Sequence, residues 1–236
     1  MASDRLSRIT AACGFGYLFT LVANVAFTTD GPRPFGSVTD EVARVRSVTT
    51  ALRWSALLGE VGALFLGGLT VGLALLLLRR GRPAAGAVAA VAGTAAVTLE
   101  SCSFAALAAS AQSADRALGV DAVMGLGNLH TTLLLLVFAP SGVLVLASVA
   151  GRMWGRTGTV LSTVVGVSGI VAIGCVLSVR EDAGPLALPL VIAFWGVPVW
   201  GAVLGYRLLR PRKALRLAPS GTELDSTITP ELSSRP

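Results

Sequence analysis

Two glutamates stand inside long apolar runs, Glu60 in Leu57-Leu58-Gly59-Glu60-Val61 and Glu100 in Val97-Thr98-Leu99-Glu100-Ser101. Placing a charged side chain at membrane depth costs about 2.5 kcal/mol or more on insertion scales, so such residues are functional candidates by default. Counted from Gly81, the centre of the turn between the runs, Glu60 lies 21 residues before and Glu100 19 after. At about 1.5 Å rise per residue, an antiparallel helical hairpin holds them within about 3 Å of one depth, in the outer half of a bilayer. Asn24, Asn128 and the single histidine, His130, fall in the same layer, and Ser101 and Ser103 flank Glu100. Arg53 stands seven residues before Glu60, on about the same helix face. If these groups face the bundle interior, two carboxyls and an imidazole can bind a cation, relay protons, or act as acid and base.

The same residues also admit a purely structural network. In that network Glu60 pairs with Arg53, His130 is shallow enough to be wetted, and Glu100 hydrogen-bonds a neighbouring helix. Two buried like charges do not both ionise cheaply. Glu60, nearer to Arg53, is therefore the expected ionised member and Glu100 the protonated one. No catalytic residue is assigned. One histidine does not supply bis-histidine haem ligation, and Cys13, Cys102 and Cys175 sit in apolar runs at no metal-ligand spacing. They read as small packing residues. Walker-type, GxSxG, HExxH and CxxC signatures are missing, so no metal and no cofactor is expected.

The elements that must position these groups follow from composition. The 236 residues are 53% hydrophobic and 14% charged, with a mean hydropathy of +0.74. A water-soluble domain carries about 25% charged residues, so this chain lacks the surface of a cytosolic enzyme. Nineteen Lys+Arg against thirteen Asp+Glu give +6. The basic residues punctuate apolar runs instead of forming a stripe, which argues against nucleic acid and for a lipid bilayer as the partner. Six runs are long enough to cross: 9–28, 54–78, 84–109, 128–150, 157–179 and 187–209. The expected fold is all-α, a polytopic six-span transmembrane bundle over 1–210, followed by a disordered cytoplasmic tail at 211–236 that turns Ser/Thr/Pro/Glu-rich.

Orientation follows from Arg5 and Arg8, from Arg79, Arg80 and Arg82, from Arg152 and Arg156, and from the cluster Arg207–Arg216. Every second connection is basic, which places both termini in the cytoplasm. The outer loop 29–53 breaks the pattern with four arginines, tempered by Asp30, Asp40 and Glu41. Its Ser37-Val38-Thr39-Asp40 start and the spacing of Val42, Val45 and Val48 predict a short amphipathic helix there, or an extension of span two. A cleavable signal at the first span is disfavoured by its apolar core of about 20 residues. The high Ala, Gly and Arg content suits a high-GC bacterial proteome, and with it the bacterial plasma membrane.

Gly68-Leu-Thr-Val-Gly72 and Gly201-Ala-Val-Leu-Gly205 match the small-xxx-small pattern. They serve either packing within the chain or a homo-oligomer through Gly68/Gly72 or Gly201/Gly205. Pro140 and Pro198 lie inside spans four and six and should kink them.

Arg8-Ile9-Thr10-Ala11-Ala12 leading into Gly16-Tyr17-Leu18, Arg53 followed by Glu60, Glu100 in span three and Leu129-His130 opening span four form an ordered set. In this order the chain resembles a family of six-span bacterial integral membrane proteins defined as a domain of unknown function. The resemblance covers about residues 8–209 and departs from the pattern at Phe138-Ala139-Pro140-Ser141-Gly142. It implies fold and topology only. The leading functional expectation is a multi-pass inner-membrane protein with an outer-leaflet polar pocket at Glu60, Glu100 and His130, binding a small molecule or lipid or associated with transport. Two rivals are an intramembrane acid–base enzyme on a lipophilic, isoprenoid-like substrate and an accessory subunit of a membrane complex.

Overall fold

The computed structural model describes residues 2–27, 38–116, 118–174 and 187–210. Within these the regular elements are all helices: α1 (Ala2–Phe27), α2 (Val38–Ser47), α3 (Thr49–Arg79), α4 (Pro83–Asp115), α5 (Val120–Ala150), α6 (Arg156–Ala172) and α7 (Ala187–Leu209). Five of them, α1, α3, α4, α5 and α7, are long and apolar enough to cross a membrane. The expected fifth span, 157–179, appears as the 17-residue α6; Cys175 and the rest of that run lie outside the described residues, as do the loop 28–37, the connection 175–186 and the tail from 211.

The six longer helices close into a ring in chain order. Each packs against the next, α1 on α3, then α4, α5, α6 and α7, and α7 returns to α1. Leu66, Leu69, Leu73 and Leu77 of α3 run down the inside and meet Ala89, Ala92 and Ala96 of α4, Leu144 and Val145 of α5, and Trp200 and Leu204 of α7. Apolar residues recur every three or four positions on the buried faces, and the outward faces are apolar as well. Leu64, Val71, Val91 and Leu161 are among the exposed large hydrophobics.

Glycines set how closely the ring closes. A Cβ on Gly14 would fall on the Gly201 carbonyl, and one on Gly205 would fall on the Ala11 backbone, so α1 and α7 touch main chain to main chain. Gly68 and Gly72 receive Cys13 and Thr10 of the same α1. Both small-xxx-small pairs are thus occupied by α1 of the same chain, the first of the two uses their spacing allows.

The turn between α3 and α4 takes residues 80–82. Gly81 has φ +69°, a left-handed conformation that glycine adopts without a Cβ clash, and Pro83 occupies the first turn of α4, where its missing N–H costs nothing. The register that follows is regular: Gly62 faces Glu100 and Gly93 faces Thr70, at closely matched distances from the turn.

At the opposite end the helices outrun the apolar segments. α4 continues to Asp115 and α5 begins at Val120, so the expected loop 110–127 is corrected to a connection of 116–119. Hydropathy stops at the first polar residues, but the helices continue because they pack on one another: Ser110 Oγ donates to the Val123 carbonyl at 2.9 Å, and Ala111, Ala114 and Val123 are buried together. The amphipathic α2 lays Val42 and Val45 on this cluster.

Candidate functional site

A cavity of about 250 Å³ lies inside the ring on the α2 side. Its wall draws on five helices: Tyr17, Leu21, Asn24 and Val25 from α1, Leu52 and Ser55 from α3, and Glu100, Phe104 and Leu107 from α4. α5 adds His130, Thr131, Leu134, Val137 and Phe138, and α7 adds Phe194 and Pro198. The wall is mostly apolar, with polar groups at three places.

The first is Glu100, which is 6% exposed. Tyr17 Oη donates to its Oε2 at 3.4 Å. The other oxygen turns toward α3 beside Gly62: a Cβ there would sit 3.7 Å from Oε1, an ordinary contact, and a tighter 3.1 Å from Thr20 Oγ1. Glu100 stands near the middle of the 33-residue α4, which runs beyond 109.

The second place is a reciprocal pair. Asn24 Nδ2 donates to the Ser55 carbonyl and Ser55 Oγ donates to Asn24 Oδ1, each at 2.9 Å, and both residues are buried. This locks α1 to α3 and satisfies polar groups that would be costly if unpaired in an apolar wall.

The third is His130. Its Nδ1 lies 2.9 Å from the Ser103 carbonyl and 2.8 Å from Ser103 Oγ, while that hydroxyl donates to the His130 carbonyl at 2.9 Å. A carbonyl only accepts, so Nδ1 carries the proton and, in the neutral ring, Nε2 carries the lone pair. No protein partner for Nε2 occurs among the described residues. Phe104 tilts against the imidazole with centroids 5.6 Å apart, and Gly59 of α3 makes room for that phenyl ring.

Of the residues singled out by type and spacing, the cavity gathers Glu100, His130 and Asn24, with Ser103 fixing the imidazole from behind. Glu60 is half-buried on α3 and close enough for its charge to reach Glu100, but it does not line the cavity. Asn128 is exposed and lies outside the site, two residues before His130 on another face of α5. Arg53 does not pair with Glu60. It is half exposed and bridges to Asp115 at the end of α4. Seven residues of helix separate Arg53 and Glu60 by about 10 Å along the axis, whereas the extended α4 brings Asp115 level with Arg53.

Three contributors were not singled out from sequence. Tyr17 entered only within the Gly16-Tyr17-Leu18 element of the resemblance, with no role given to it, and Ser55 carried no signal in its apolar run. Pro198 was read as a kink. It also lacks the N–H that would serve the Phe194 carbonyl one turn earlier, and both residues line the cavity.

Chemically, the site offers a carboxyl steadied by a phenol, an imidazole with a defined tautomer and a hydrogen-bonded amide, all set in a wall of rings and aliphatic chains. Groups of three or more His, Cys, Asp or Glu that could hold a metal ion do not occur among the described residues. No family model matches the chain, nor does any curated protein or solved structure.

Proposed function

We propose that the chain is a six-span protein of the bacterial plasma membrane, with both termini cytoplasmic, that binds a small lipophilic molecule in the cavity between α1, α3, α4, α5 and α7. The observation that carries this reading is the pairing of an apolar cavity with a few convergent polar groups, the usual make-up of a small-molecule site. The basic turn at Arg79, Arg80 and Arg82 supports the orientation, as does the basic α5–α6 connection with Arg152 and Arg156. Both belong to the end of the ring away from the cavity.

Glu60 drops out of direct contact in this reading and acts on the site only through its charge. The acid–base enzyme and the accessory subunit remain as rivals, and Glu100 with His130 would be the acid–base pair of the former. Binding without turnover supports the binding role.

Leu134, an apolar lining residue, gives the test. In Leu134→Trp the indole fills the cavity. Thermal unfolding of purified wild-type protein and of Leu134→Trp is followed in detergent with and without tert-butylbenzene, a compact neutral lipophile. A saturable rise in melting temperature in the wild type that is lost in Leu134→Trp is the expected result. Equal responses of the two proteins would show that the cavity takes up nothing and overturn the proposal.

A further inference from the structure

We infer that the ligand of this cavity is a small lipophilic cation, a quaternary ammonium or protonated amine carried on an apolar body; this rests on the cavity being a binding site at all. Four of its sixteen lining residues, Tyr17, Phe104, Phe138 and Phe194, present six-membered aromatic rings, in a chain that is only 6% aromatic. Phe138 and Phe194 meet edge to face with centroids 6.4 Å apart, and Phe104 backs onto His130, so the rings come from α1, α4, α5 and α7 around one space. An aromatic face attracts a cation through its quadrupole, most strongly where water is excluded.

The charges point the same way. None of the sixteen lining residues is Lys or Arg, and one is a carboxyl. Around Glu100, α1 presents the Tyr17 hydroxyl, α3 presents Glu60 and α5 presents His130. α7 adds to the lining only Phe194 and Pro198. The nearest arginine on α3, Arg53, is held away on Asp115. The neutral imidazole offers an acceptor at Nε2, and Pro198 leaves the Phe194 carbonyl without its usual helical donor. A carboxyl, a second acid behind it, lone pairs and ring faces all favour positive charge, and an anionic ligand finds no cationic counterpart.

Two probes of nearly the same shape separate charge from greasiness: phenyltrimethylammonium and tert-butylbenzene differ by a quaternary nitrogen in place of a carbon. Binding of each to purified full-length protein is measured by ligand-observed NMR, with uptake by the micelle subtracted using Leu134→Trp protein. The expected result is that the wild type prefers the cation by at least about tenfold. Glu100→Gln should abolish that preference while keeping the neutral probe bound, and Phe194→Leu should lower it a few-fold. Phe194→Leu also decides the matter if Glu100→Gln does not fold. If tert-butylbenzene binds in the Leu134-sensitive manner and the cation has no advantage, the cavity reading stands and the cation inference falls. If the preference survives in both Glu100→Gln and Phe194→Leu, the cation is recognised elsewhere and the inference falls as well. If neither probe binds, both readings fall together.

Discussion

The two ends of this ring are built on opposite plans. Toward the basic turns, α1 lies directly on α3 and α7 through Gly14, Gly68, Gly72, Gly201 and Gly205, and the interior is filled by the leucine column of α3 with Trp200 and Leu144. There Trp154 donates to Ser148 Oγ at 2.7 Å and Arg207 sits 5.1 Å over its ring. Toward the other end Asn24 and Ser55 span the gap between α1 and α3 with a reciprocal pair of hydrogen bonds. The cavity opens in that half. Backbone-to-backbone packing leaves no room for a ligand, whereas helices held apart by polar pairs leave a space whose wall is already chemically furnished. One half therefore acts as the clamp that fixes the helices, and the other as the site they define.

If that division is right, the largest loss of stability comes from the clamp. Gly14→Val drives a branched side chain into the Gly201 carbonyl, where neither backbone can yield without moving a whole helix. Overpacking of this kind costs about 1–3 kcal/mol and more when backbone must shift. Thermal unfolding in detergent should show the melting temperature falling by many degrees, or no folded protein at all. Near-wild-type melting of Gly14→Val would mean that α1 and α7 are not closely packed, and the contrast between the halves would go with it.

A smaller effect is expected at the polar pair of the site half. Ser55→Ala removes the donor to Asn24 Oδ1 but leaves the Asn24 bond to the residue 55 carbonyl in place. Hydrogen bonds between membrane helices average about 0.6 kcal/mol and reach about 1.7, so the loss should lie in that range. A double-mutant cycle with Asn24→Ala measures the coupling, and additivity of the two substitutions would remove the pair as the device that spaces α1 from α3.

The α3–α4 hairpin shows how far such a molecule can be read before its structure is known. A tight turn at Gly81-Arg82-Pro83 lets residues be counted outward in both arms, and the count leaves Glu60 two residues out of step with Glu100, which the structure sets opposite Gly62. The apolar runs likewise locate the long helices. Their ends were not legible, because hydropathy reports where the chain is greasy, while a helix continues as long as its backbone bonds and side packing hold; Ser110–Asp115 and Val120–Gly127 are helical for that reason. That error carried over to Arg53. With Asp115 placed in a connection, Arg53 was matched to Glu60 on its own helix, and the true bridge stayed hidden. Tyr17 was hidden for another reason: a lone aromatic in an apolar run has the pattern of packing, and only the fold reveals that its hydroxyl meets Glu100.

The two glutamates sharpen the contrast further, since one lines the cavity and the other stands behind it. Glu100→Gln should remove the preference for phenyltrimethylammonium, whereas Glu60→Gln should weaken it by only about two- to fivefold, the effect of a charge acting across intervening protein. Equal losses would place Glu60 in the binding wall.

The smallest effect is expected at the Arg53–Asp115 bridge, and its smallness is informative. Both partners are exposed, at 50% and 38%, so water already screens the charges and the bridge contributes well under about 1 kcal/mol. Arg53→Ala should therefore lower the melting temperature by little, and raised salt should mimic it. Had Arg53 been the counter-ion of Glu60, as the spacing in sequence suggested, removing it would instead leave a half-buried carboxylate unpaired, with a cost several times larger and insensitive to salt. The comparison that decides is Arg53→Ala against Asp115→Ala and Glu60→Gln in one series. Coupling of Arg53 with Asp115 and none with Glu60 keeps the arginine outside the site and leaves the cavity free of positive charge, whereas coupling with Glu60 would bring a guanidinium to the edge of the wall and make it far less hospitable to a cation.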